Sequence, residues 1–342
     1  MATETHMYRE IREIPAATQR MLHGSREVIE RTTAELRQTN PRFISTVARG
    51  SSDHAATYFK YAAELTLGLP VASVGPSIAS IYGAELQLEN SVCIGISQSG
   101  QSPDIVKMAS SASKQGAIAV AITNNLGSPL AEACNHTVPI HAGEELSVAA
   151  TKTFVTSAVA GIAILAHWKQ DQALIDAIEH LPEIFEEAAT YDWPELRETL
   201  LDRDSLFVLG RGPSYAISNE AALKFKETCQ IHAESYSSAE VLHGPVSIVE
   251  PRYPILGFAS RDASEHSIVS VIDGLTQNGA AAFITSDKAK DARGLRFAKT
   301  MHPLTDPLSL IVSFYAFIER LAVERGINPD TPRNLKKVTE TV

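Results

Sequence analysis

Short apolar runs and helical patterns alternate along the chain, and the alternation occurs twice. In the first pass Phe43–Ala48, Val71–Val74, Val92–Ser97, Ala117–Thr123 and His136–Pro139 read as strands, with helices beginning near Asp53, Ser77, Pro103 and Ser128. In the second, Leu206–Gly210, Ala233–Tyr236, Pro254–Ala259 and Ala280–Thr285 read as strands, with helices near Asn219, Ser264 and Leu308. A helix from about Ala16 to Gln38 precedes the first strand, and Val148–Lys169 predicts a long helix linking the two passes. Strands that are apolar on both faces and separated by helices imply a mainly parallel sheet covered on both sides, the α/β class.

The two passes are related in sequence. Phe43-Ile-Ser-Thr-Val-Ala-Arg-Gly50 resembles Ser205-Leu-Phe-Val-Leu-Gly-Arg-Gly212, with Arg49-Gly50 and Arg211-Gly212 standing 162 positions apart. At the same offset Val92-Cys-Ile-Gly-Ile96 matches Pro254-Ile-Leu-Gly-Phe258, and Ile122-Thr123 matches Ile284-Thr285. The period is too long for a solenoid and implies two copies of one domain. The expected division is an N-terminal helical segment over 1–38, domains over 39–185 and 195–327 with a boundary near Asp192-Trp193-Pro194, and a C-terminal tail over 328–342.

Composition narrows the function classes. The 342 residues are 44% apolar and 20% charged, an ordinary globular balance. A net charge of −10 argues against a non-specific nucleic-acid or anionic-membrane binder, so an anionic substrate must be held by a local site. Cys93, Cys134 and Cys229 form no CxxC pair, which suggests neither a disulfide framework nor a zinc site and fits a reducing compartment. The N-terminus lacks an apolar h-region, and the longest apolar stretch, Ala158–Ala166, is about half of a membrane span. A cytoplasmic protein is expected.

In open parallel sheets ligands bind beyond the carboxyl ends of the strands. There the strand Val92–Ile96 runs into Ser97-Gln98-Ser99-Gly100-Gln101-Ser102-Pro103-Asp104. Ser102 suits an N-cap, Pro103 the first helical position, and Asp104 the positive helix end. Hydroxyls and backbone amides at a helix start make an anion site. A second hydroxyl cluster, Gly50-Ser51-Ser52-Asp53, follows the first strand. Such residues are also common in turns, and the strand–turn–helix context with the paired Ser51-Ser52 favours the phosphate reading. No GxxxxGK[ST] or GxGxxG is present, and Gly95-Ile-Ser97-Gln-Ser-Gly100 is one residue too long for an esterase elbow.

In Asn219–Thr228, Glu220, Lys224 and Glu227 fall at i, i+4 and i+7, one stripe of a helix. A lysine beside a glutamate gives a proton-transfer carboxylate its counter-charge; a surface ion-pair ladder has the same spacing. His243 precedes Gly-Pro, a rigid turn, and a histidine there can move a proton on a sugar ring oxygen. His232 reads as structural, and His54, His167 and His180 have no partners at metal-ligand spacing. No metal, flavin or nicotinamide motif is seen, so no cofactor is expected.

Ser97-Gln-Ser-Gly100, Val148-Ala-Ala-Thr-Lys-Thr-Phe154, Ala222-Leu-Lys-Phe-Lys-Glu227, Glu240-Val-Leu-His-Gly-Pro245 and Pro332-Arg-Asn-Leu-Lys336 sit in the order of the sugar isomerase (SIS) superfamily. Over nearly its whole length the chain resembles the isomerase half of the glutamine–fructose-6-phosphate aminotransferases. The resemblance implies two SIS domains, each a three-layer αβα sandwich with a mainly parallel, flavodoxin-like five-stranded sheet. It implies Ser51, Ser52, Ser97, Gln98, Ser99 and Ser102 as sugar-phosphate loops and Val148 as a backbone contact to the sugar. Glu227 is the implied base between C1 and C2, Lys224 and Glu220 its supports, and His243 the ring-opening group, supplied across a homodimer with shared sites. Lys337 is the implied Schiff-base lysine on a tail that closes on the active site; read from the residues alone, Lys336 and Lys337 are solvated tail charges.

The glutaminase half of the aminotransferases is not seen: Ala2 follows Met1 where that half begins with a cysteine. Glutamine is therefore not the expected nitrogen donor. The Ser51–His54 segment, the Ser97–Asp104 turn and Val-Ala-Ala-Thr-Lys-Thr-Phe are similar to the glutaminase-free glucosamine-6-phosphate deaminases of the superfamily. The expected activity is a phosphosugar deaminase-isomerase acting on a small sugar phosphate. Its rivals are a plain aldose–ketose isomerase, an ammonia-dependent synthase, a fructosamine-6-phosphate deglycase and a non-catalytic sugar-phosphate sensor.

Overall fold

The structure, a computed structural model, describes residues 4–337. They fall into two compact units. The first-sheet unit holds residues 16–145 and 152–179 together with Lys336 and Lys337. The second-sheet unit holds residues 4–15, 146–151 and 180–335.

Helix α1 (His6–Arg12) belongs to the second-sheet unit, and most of α2 (Ile14–Thr39) to the first. The first-sheet unit continues through β1 (Ile44–Val47), α3 (Ser51–Leu67), β2 (Val71–Ser73), α4 (Ser77–Ser80), β3 (Val92–Ile96), α5 (Pro103–Lys114), β4 (Ile118–Thr123), α6 (Pro129–Ala133), β5 (His136–Pro139), α7 (Lys152–Lys169) and α8 (Gln172–Glu179). Its sheet is wholly parallel in the order β2-β1-β3-β4-β5, with Ile44 opposite both Val71 and Val92. That is the flavodoxin-like order, whose switch point lies between β1 and β3.

The second-sheet unit runs through α9 (Leu181–Ala188), α10 (Pro194–Leu200), β6 (Ser205–Gly210), α11 (Pro213–Cys229), β7 (His232–Ser237), β8 (Pro254–Phe258), α12 (Glu265–Gln277), β9 (Ala281–Ile284), β10 (Arg293–Gly294) and α13 (Asp306–Glu324). Its strands, also all parallel, lie in the order β7-β6-β8-β9-β10, the same winding. β3 and β8 are buried along their full length, as the unbroken apolar runs require. Val47, Cys93, Ile105, Met108 and Leu130 anchor one core, and Phe207, Leu209, Ile255, Ile268 and Ile284 the other. Among the described residues no helix is long and apolar enough to cross a membrane.

Three sequence expectations shift. The helices expected near Asp53 and Asn219 begin at Ser51 and Pro213. The cause is shared: Gly50 (φ 54°, ψ −133°) and Gly212 (φ 57°, ψ −135°) take a conformation open in practice to glycine alone, turning each strand directly into its helix. The helix expected from Val148 begins at Lys152. Residues 146–148 are instead bound within the second-sheet unit, where the Glu10 carboxylate accepts from the Leu146 and Ser147 amides and the Asp330 carbonyl from that of Val148 (3.2 Å). Finally, β10 spans only two residues, too few for a pattern to reveal.

Candidate functional site

In the first-sheet unit the loops after β1 and β3 meet the switch-point rule. Ser51 and Ser52 open α3, half-buried, while Ser97 is buried at the end of β3. The Ser97 hydroxyl accepts from the Gly100 amide (3.1 Å) and the Ser99 hydroxyl from the Gln101 amide (3.3 Å). Used as acceptors, these hydroxyls keep their O–H protons out of both bonds. Gly100 has φ 64°, and a Cβ there would stand 2.1 Å from Ser128 Oγ, so the turn requires glycine. The Gln98 carbonyl accepts from the Asn124 amide (3.0 Å) and Thr123 Oγ1 (3.3 Å), which fixes the loop onto the strand end of β4.

Two details correct the sequence picture. Ser102 holds the N-cap position of α5, but its hydroxyl makes no capping bond. The amides do less than expected: those of Gly100 and Gln101 serve the loop's own hydroxyls, and that of Ile105 serves Asp104 Oδ1 (2.9 Å). Asp104 is fully buried and also takes Arg49 Nε at 2.9 Å and Nη2 at 2.6 Å. The arginine that follows β1 is thus tied to the helix that follows β3. The Ser97 and Ser99 hydroxyls keep their protons available beside the loop's remaining amides.

Lys337 also belongs to the first-sheet unit and is no solvated tail charge. Its Nζ lies 2.7 Å from Glu145 Oε2, whose side chain is fully buried. Thr153 adds its amide (3.1 Å) and hydroxyl (2.6 Å) to the same carboxylate. Burial alone would raise the Glu145 pKa, but Lys337 and Thr153 outweigh it and hold the carboxyl below its usual range.

In the second-sheet unit α11 brings Glu220, Lys224 and Glu227 together, and the ladder is not at the surface. Glu220 and Lys224 are fully buried, and the Glu227 side chain keeps 18% of its surface exposed. Lys224 Nζ stands 2.5 Å from Glu227 Oε2 and 3.3 Å from Glu220 Oε1. Tyr315 of α13 donates to Glu220 (3.0 Å). Burial works against the Lys224 ammonium, but the two carboxylates more than compensate and raise its pKa above the ordinary lysine range. Phe225, on the neighbouring face, packs edge-on against Phe314 and Phe317 of α13, which fixes the helix.

His243 is not brought to this cluster. It ends a 3-10 turn (Glu240–His243) before Gly244 (φ 137°) and is exposed beside the exposed Leu242. Since the Val148 amide is taken by Asp330, a sugar contact by its backbone falls to the carbonyl. Sequence reading missed Glu145, Tyr315 and the Arg49–Asp104 pair. Glu145 had a signal, being a carboxylate just upstream of the Val148–Phe154 motif. Tyr315 had none, because its partner lies 95 positions away.

The doubled sheet, with its loop-built switch point, defines a tandem, doubly wound α/β protein. The SIS domain family matches residues 38–166 and 199–322, and the chain belongs to that family. A glutamine–fructose-6-phosphate aminotransferase (isomerizing) of Thermococcus kodakarensis is 33% identical over 97% of this chain. The chain spans 57% of that relative's length. Among solved structures, a provisionally assigned phosphosugar isomerase from Silicibacter pomeroyi DSS-3 superposes with a TM-score of 0.94 at 58% identity, covering 96% of this chain and all of the other. The C-terminal domain of glucosamine-fructose-6-phosphate aminotransferase from Francisella tularensis gives 0.83 at 25% identity, covering 97% and 99%.

Proposed function

We propose that the protein is a phosphosugar deaminase-isomerase that converts glucosamine 6-phosphate and water into fructose 6-phosphate and ammonia. The observation that carries this reading is the α11 cluster: Glu220 and Lys224 are sealed in the core, and Glu227 alone of the three reaches solvent. A carboxylate held by a buried ammonium and open on one side is suited to moving a proton between adjacent carbons.

In this reading the phosphate sits on the hydroxyls of Ser51, Ser52, Ser97, Ser99 and Ser102, with Gln98 beside them. That remote anchor positions C1 and C2. His243, exposed on its turn, opens the pyranose of a sugar bound by the second copy of a homodimer. Glu227 takes the proton from C2, leaving an enolamine, and returns it to C1. The product is an imine at C2, and water displaces ammonia to leave the ketose. Lys337 condenses with that ketone as a Schiff base. Incubation with glucosamine 6-phosphate, with ammonia read by a coupled dehydrogenase, tests the reading; phosphosugar binding without product from any amino-sugar or ketose phosphate would turn it into a sensor.

A second reading is the reverse reaction, an ammonia-dependent synthase. The 33% identity to an aminotransferase along 97% of this chain favours it. Supplying fructose 6-phosphate and ammonium and measuring the amino sugar separates the two directions.

A further inference from the structure

Glu145 stands in the loop after β5 with its side chain wholly buried. A carboxylate at that depth needs partners. Two donors come from Thr153, in the first turn of α7, and are fixed by the helix. Another, Lys337 Nζ, comes from 192 positions further along the chain. The lysine side chain retains 26% of its surface, so it is held without being sealed off.

We infer that Glu145 is the positioning residue for Lys337, a fixed counter-ion that holds the ammonium at rest and the iminium after condensation with the ketose. The inference rests on the Schiff-base role that the proposed function gives Lys337. The step balances with the charge in place. The ammonium nitrogen and the C2 ketone form a C=N bond, the C=O bond breaks, and the oxygen leaves as water with two of the three ammonium protons. Nitrogen carries one positive charge before and after, so one buried carboxylate serves both states, and no net proton passes to solvent. Its low affinity for protons, set by Lys337 and Thr153 against the effect of burial, suits a group that stays charged throughout.

The test is borohydride reduction in the presence of fructose 6-phosphate, with mass spectrometry of the peptide that contains Lys337. Glu145→Gln should trap at least about tenfold less adduct than wild type, a difference of about 1.4 kcal/mol. Glu145→Asp, which keeps the charge, should recover a large part of it. KM for the phosphosugar should stay within about twofold in both, since the phosphate loops are untouched. A merely structural Glu145 would instead make the two variants alike and move KM and melting together. Should Glu145→Gln not fold, Thr153→Val removes one bond to the carboxylate and should lower trapping several-fold. Wild-type trapping by Glu145→Gln, or no adduct on Lys337 in the wild type, overturns the inference. Ammonia release is read separately: adduct without ammonia sinks the deaminase reading and leaves Glu145 in its role, whereas ammonia without adduct does the opposite.

Discussion

The two switch points of this chain share a backbone and differ in what fills them. After β3 the loop carries Ser97, Ser99 and Ser102, neutral groups ahead of α5. At the equivalent positions after β8 stand Ala259, Arg261 and Ser264, and the start of α12 is supplied with the protein's own charges. Asp262 Oδ1 binds the Ser264 amide (2.7 Å) and hydroxyl (2.6 Å), and the buried Glu265 takes Ser286 (2.8 Å) and Lys288 (2.5 Å). Ser214, the counterpart of Ser52, is buried against Ser260 at 2.6 Å. In the second copy these polar groups are satisfied from within. The helices diverge in the other direction: Glu220, Lys224 and Glu227 of α11 correspond to Tyr58, Ala62 and Leu65 of α3. Across the repeat, the loop after β3 is the one rich in serines, and α11 is the helix that carries the charges.

This division can be broken at several points. Glu227→Gln should lower ammonia release about 1,000-fold while phosphosugar binding stays within about threefold. Leu65→Gln, at the matching exposed position of α3, should change stability by no more than about 0.5 kcal/mol and leave turnover alone.

Lys224→Met should cost about 3–5 kcal/mol in denaturant unfolding, because it leaves Glu220 and Glu227 without their shared cation. Its pH dependence has a definite sign. The Lys224 pKa is raised above 10.5, so its contribution is complete below that pH and is lost as pH climbs through the folded value. Wild type should therefore lose stability in strong alkali more steeply than the variant.

Ser99→Asp gives the loop after β3 a carboxylate like that of its counterpart and should raise KM for the phosphosugar about 100-fold, some 2.7 kcal/mol. Asp262→Ala, in the second copy, should cost about 1 kcal/mol by calorimetry and leave KM within about twofold.

Much of the fold was legible because its signals are local. The central strands β3, β4 and β8 are almost unbroken apolar runs, and Arg-Gly twice marks the turn out of a first strand, at Gly50 and Gly212. The doubled sheet could be read from three matches at one offset. The spacing of Glu220, Lys224 and Glu227 put them on one stripe, but it could not say which way the stripe faced. Burial was decided by α13, whose Tyr315 binds Glu220 from far along the chain. The fate of Val148 was hidden for the same reason, since Glu10 and Asp330 reach its segment from either end of the sequence. Hydroxyls at 97, 99 and 102 were visible, but whether they give or receive hydrogen bonds depends on a turn closed by Gly100.

The bond between Arg49 and the buried Asp104 has a thermodynamic consequence. It joins the two serine-bearing loops through the protein's own charges, so their ordering is settled when the chain folds and not when a ligand arrives. Docking then has little segmental entropy to remove. In calorimetric titration of a phosphosugar these two loops should accordingly add little to the heat-capacity change.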